Sequence, residues 1–342
     1  MNFVKYIYTL RTLFLLLLVV VTSVTYAQNY SYESVLKDGT WFKIGVKDDG
    51  VYKISYNDLI NLGVDIDNVK PKKISLFGNE NGVLPESNSA PAYDDLSEMS
   101  IIVTGENDDS FDENDAILFY AQSPIKWEYT DKGRFVHNTN YYSDTSFYFL
   151  TLDNKNDGKR ISESYYVENH TDKYIDVFQD YQTHELDLNN RYRQGKLWYG
   201  ETISLATSPE HRFTFVFDNI LPNRESHVRL NMVGSSSSEV FYARIKANDE
   251  ILFDSLRISK SGSYYFGHEI DKNSIFFSDN DTVNIDVAAI SKNSTSLIGV
   301  NFIDVNVWRE LKYENKPLHF NIFKSFEKIN IHKIYINIIL IK

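Results

Sequence analysis

The chain has 342 residues, a formal net charge of −12 and no cysteine. The missing thiol excludes disulfides, thiolate metal sites and a cysteine nucleophile together. The acidic balance, with no basic stripe to offset it, excludes the electrostatic footprint of a nucleic-acid binder.

The chain begins with Lys5 and Arg11, followed by an unbroken apolar run from Leu13 to Val21 and small residues ending Thr25-Tyr26-Ala27. A basic start, an apolar centre and small residues before a cleavage point define a secretory signal peptide over 1–27. The apolar centre is shorter than the roughly 20 residues of a membrane-spanning helix. No cysteine follows it, which excludes a lipoprotein anchor. Removing the leader takes away Lys5 and Arg11 and moves the formal net charge from −12 to −14. The expectation is an exported protein of the periplasm, outer membrane or cell surface, with no transmembrane helix after cleavage. Without disulfides it must hold together by core burial, and its length is enough for about two domains.

The 24 Tyr and 22 Phe fit the pleated, half-buried surface of a sheet. Asn, Asp, Ser and Gly clusters at short intervals punctuate many short strands. Trp41 to Val46 and Val51 to Ile54, separated by Lys47-Asp48-Asp49-Gly50, read as a β-hairpin with Gly50 free to take positive φ. Tyr56 to Gly63 reads as a short helix capped by Asn57 and ended by Gly63. Strands follow at 73–78, 100–105, 116–121 and 142–152, with an acidic loop from Glu106 to Asp115. The polar stretch 154–175 divides an N-terminal β domain (28–160) from a second domain (170–310).

The second domain opens at Phe178 to Glu185 and continues with strands at 212–217, 227–233, 240–247, 250–254, 282–289 and 301–308. Asn248-Asp249 makes a hairpin turn. The fold class is therefore all-β and mainly antiparallel, with two sandwich-like domains, the second a jelly roll, and one or two short helices. From Arg309 onward the chain turns basic and ends in an Ile-, Asn- and Lys-rich run. Such an ending is prone to sheet-edge aggregation, so 311–342 reads as an aberrant or truncated tail.

Candidate sites are few. Asp108, Asp109, Asp112, Asn114 and Asp115 cluster oxygen ligands that calcium can use, without the ligand ladder and glycine of an EF-hand; a solvated turn with Asp capping is the alternative. No other cofactor is implied. The eight histidines (137, 170, 184, 211, 227, 268, 319 and 332) show no zinc-motif spacing and read as structural or surface residues. His184-Glu185 with Asp187 reads as a loop cluster rather than an acid–base pair. Ser235 to Ser238 lacks a nucleophile elbow and reads as a flexible turn. Trp198-Tyr199 and Tyr264-Tyr265-Phe266 can stack on sugars, but aromatics on strands more often fill a core.

A series of segments in fixed order carries a family resemblance. Gly39 to Val46 with Gly50 to Ile54 forms its opening. Lys73 to Asn79, Gly82 to Glu86, Asp94-Asp95-Leu96 and Phe111 to Tyr120 continue it. His137 to Asp144, Gly158 to Ile161 and Trp198 to Glu201 complete it. Together, over residues 39–307, these resemble the amino-terminal region of the PorU family, the cell-surface sortases of the bacterial type IX secretion system. The resemblance implies a gingipain-like cysteine peptidase whose catalytic His and Cys lie in a later domain. That peptidase removes the carboxy-terminal signal of secreted cargo at the outer membrane and attaches a lipopolysaccharide anchor. This chain has no Cys and stops where the peptidase domain is expected, so no catalytic residue carries over. The expected role is a non-catalytic portion, with other type IX outer-membrane components or the missing peptidase domain as partners. A free-standing adhesin or glycan-binding sandwich is the alternative, and a glycan hydrolase with paired carboxylates a more distant one.

Overall fold

The computed structural model describes Phe14 and residues 31–320, apart from 80–82, 86, 163–175, 191–194, 196, 237–238, 261–266, 293–294 and 315–317. The leader and most of the tail lie outside the described residues. Among those described, no helix is long and apolar enough to cross a membrane. Every pairing between named strands is antiparallel.

The first half packs two small sheets face to face. One holds β1 (Phe42–Val46), β9 (Ser146–Thr151), β3 (Ser75–Gly78) and β4 (Ser97–Met99), in that order. The other holds β2 (Gly50–Ser55), β6 (Ala116–Ala121) and β5 (Ile102–Val103). Leu59, Ile74, Leu76, Ile101, Ile117, Phe119, Tyr148 and Leu150 fill one cluster between them. Fully burying a side chain of this size contributes about 1.5–3 kcal/mol.

Two sequence expectations need correction here. β1 and β2 do not pair as a hairpin: β1 pairs with β9 and β2 with β6. The segment between them is a crossover between sheets. Gly50 sits inside β2 opposite Ala121 and is not among the positive-φ glycines. The helix α1 (Tyr56–Asn61) is capped by Ser55 and not by Asn57. The Ser55 hydroxyl accepts from the Asp58 backbone N–H at 3.3 Å, and Asp58 accepts from the Ser55 N–H at 2.8 Å. This is a capping box with Asp at its third helical position. Gly63 ends the turn with φ +82°, as its sequence position implies.

The second half is a jelly roll. One sheet runs β10 (Val177–Glu185), β18 (Leu297–Glu310), β13 (Ser226–Ser235), β16 (His268–Phe276), with β11 (Thr202–Ser204) added beside β18. The other runs β12 (Glu210–Val216), β17 (Thr282–Ile290), β14 (Phe241–Ala247), β15 (Glu250–Ile258). The chain crosses between the sheets so that first and last strands become neighbours, the doubled Greek key of this architecture. Asn248 turns β14 into β15 with φ 51°. The core includes Phe215, Leu230, Met232, Phe241, Ile285 and Val305.

Five strands are not among those expected from the sequence: the short β4 and β11, β16, and β7 (Ile125–Tyr129) with β8 (Phe135–Thr139), which form a separate two-stranded hairpin. The last strand is also longer than read, starting at Leu297 rather than Asn301. A register shift at Asn231/Met232 takes up the extra residue in β18, as a β-bulge does.

Candidate functional site

The calcium candidates do not converge. Asp109, in the left-handed region at φ 61°, reaches Lys72 at 2.8 Å. Asp108 accepts from the Ser110 N–H and Asp112 from the Ser110 hydroxyl. Asp115 turns inward and accepts from the Asp112 N–H at 2.8 Å. Among the described residues no three His, Asp or Glu side chains group as metal ligands. Asp108 and Asp115 are engaged as turn caps, Asp112 by the Ser110 hydroxyl and Asp109 in a surface ion pair.

Alternation along β10 separates His184 from Glu185, because successive strand residues face opposite sides. His184 pairs with Glu201 at 3.0 Å and packs on Phe213 of the jelly-roll core. Glu185 faces outward to the β7–β8 hairpin. Asp187 is pushed above its ordinary value by burial and by the neighbouring Glu185. Ser235 and Ser236 are buried at the end of β13, with the Ser236 hydroxyl accepting from Ser296; they are no flexible turn, and Ser237-Ser238 lie outside the described residues. Tyr199 is buried against Val233, while Trp198 is exposed. Tyr264-Tyr265-Phe266 lie outside the described residues.

The most developed polar site is one the sequence reading left as a single structural histidine. β18 alternates Ile303, Val305 and Val307 toward the sandwich core with Asp304 and Asn306 away from it. An outer sheet face is normally wet, yet Asp304 is 0% exposed and Asn306 2%. The β7–β8 hairpin, supplied by the first half, covers them. Its Asp131-Lys132-Gly133 turn, with Gly133 at φ +74°, lets the two short strands pair.

Asn306 reads the hairpin's main chain from both sides. Its Oδ1 accepts from the Phe135 N–H at 2.6 Å and its Nδ2 donates to the Phe135 carbonyl at 3.1 Å. The Gln179 amide donates to the Gly133 carbonyl at 3.2 Å. Tyr181 of β10 lies against Trp127 and Phe135, with ring centroids 4.2 and 4.1 Å away.

His137 forms the centre of the contact. Its Nε2 lies 3.0 Å from Glu185 and its Nδ1 contacts Asp304 as an ion pair. Thr139 also donates to Glu185, and Phe302 meets the imidazole edge-on. Neither Asp304 oxygen accepts a well-aligned hydrogen bond, so the imidazolium charge is its electrostatic partner. Burial opposes protonation of His137, but its ion pairs with Asp304 and Glu185 outweigh it and raise the group to about 9. The ring is a cation at neutral pH. The arrangement binds one β unit to the other.

The fold and this junction define a class: a two-unit, all-β chain whose jelly roll carries a hairpin of the preceding unit on its outer face. No family model matches the chain, and no curated protein matches it significantly. Among solved structures, dimeric latent PorU from Porphyromonas gingivalis is similar, with a TM-score of 0.68 and 24% identity. The match covers 86% of this chain and 26% of that one, so this chain spans about a quarter of its length. The chain therefore has a PorU-like fold. A family 35 carbohydrate-binding module from Clostridium thermocellum (TM-score 0.24, 11% identity, 38% of this chain and 90% of that one) is far less similar. So is a CBM36 module in complex with calcium and xylotriose (0.22, 11%, 30% and 77%). Scores this low define no shared fold.

Proposed function

We propose that the chain is a non-catalytic amino-terminal portion of a PorU-like sortase of the type IX secretion system. Its role is to position or shield a gingipain-like peptidase domain, or to dock on outer-membrane partners, through surface packing. The observation that carries this reading is the PorU-like fold across most of the chain, joined to the ordered motifs from Gly39 to Val307. The junction at His137 supports it, because fastening the two β units at a fixed angle suits a scaffold. The chain carries no cysteine, so the family's thiolate attack on a peptide bond cannot arise from its own residues. Export to the periplasm, outer membrane or cell surface belongs to the same reading.

Incubating the purified chain with a cargo protein that bears a type IX carboxy-terminal signal tests the catalytic half of the proposal. The expected result is intact cargo with the chain alone. Cleavage by the chain alone refutes it. Saturable binding to a glycan array, without affinity for a peptidase domain, moves the reading to a glycan-binding sandwich.

A further inference from the structure

We propose that the β7–β8 hairpin is a latch, released from the jelly roll as a unit when the positive charge between Asp304 and Glu185 is lost, while both hydrophobic cores stay folded.

The hairpin is structurally separable. Among the described residues, β7 and β8 pair with each other and with no other strand, and neither large hydrophobic cluster includes a residue of either strand. A lone two-stranded hairpin is marginally stable in water, so its order depends on docking. The docking contacts are polar and aromatic: Asn306 on the Phe135 main chain, Tyr181 against two rings, and His137 between two carboxylates.

The charges around His137 decide the direction. Asp304 faces it from β18 and Glu185 from β10. Arg229 of β13, opposite Asp304 in register, lies over Phe302 and is hydrogen-bonded to Asp271 of β16 at 2.7 Å; its charge acts on Asp304 from a distance but forms no ion pair with it. From β7 the ring meets the uncharged Trp127. Loss of the imidazolium proton therefore leaves two carboxylates facing each other in a nearly dry junction, which is costly unless they are hydrated. Hydration requires the hairpin to lift.

The proton-linkage sign follows from a group raised from 6.5 to about 9 on docking. The docked state binds the extra proton, so docking is fully supported below pH 6.5 and fades as pH rises through 9.

Amide hydrogen exchange of the full chain at pH 7 and pH 10 tests this. After correction for base-catalysed intrinsic exchange, opening at 125–139 is expected to rise roughly seventy-fold, by linkage over that range. Amides of β6 and β17 are expected to keep their protection. H137Q should open the same segment already at pH 7, and H137Q/E185Q/D304N should show no pH dependence. Unchanged protection at 125–139 at pH 10, or loss only together with β6 and β17, overturns the proposal; should H137Q fail to fold, the wild-type pH comparison decides alone.

Discussion

Asn306 shows how much one side chain can fix. It satisfies a buried backbone donor and acceptor of Phe135 from a strand of the other unit. Removing one partner from a buried pair leaves the other dehydrated and unbonded, at about 1–3 kcal/mol. N306A should lower stability by about that amount in urea unfolding, and N306D by more at neutral pH, because it buries a carboxylate against the Phe135 carbonyl. The acidic loop gives the opposite expectation. Its Asp108 and Asp115 already cap turns, Asp112 accepts from the Ser110 hydroxyl, and Asp109 is salt-bridged to Lys72. Calcium titration should leave the unfolding temperature unchanged, because an ion stabilises only if it binds the folded form. A calcium-dependent rise in unfolding temperature that D112N/D115N removes would restore the loop as a metal site.

At the scale of elements, close backbone approaches are the points of least tolerance. Gly105 lies at φ +75°, where a Cβ would fall 1.9 Å from Asp115 Oδ1. G105A adds strain and a clash at once, and should destabilise by about 2 kcal/mol or more, the sum of a left-handed penalty and a forced shift; thermal unfolding reads it directly. The sequence carried most of the strands because apolar residues alternate through β12, β14 and β17 and run unbroken through β6. It did not carry their pairing. Lys47 to Gly50 looks like a hairpin turn whether the strands on either side join each other or two separate sheets, and only the packed core chooses. Nor did it carry the junction. Asp304 and Asn306 read as the wet side of an alternating strand, and nothing local says that a hairpin more than 160 residues earlier covers them. The available signal was Asp131-Lys132-Gly133 between two aromatic segments, a turn of the same kind as those recognised elsewhere.

At the scale of the molecule, the described residues form two cores and one polar junction. The first core spans Val46 to Leu150 and the second Ile203 to Val307. The junction joins them through His137, Asn306 and Gln179 rather than through a shared apolar interior. Such contacts fix geometry more than they add stability. The central claim is that this scaffold serves a peptidase domain of the PorU-like kind. Sedimentation velocity of the purified chain mixed with such a domain tests it most directly. A discrete, saturable complex at micromolar concentrations is the predicted result, and two species that sediment independently at every ratio would contradict it.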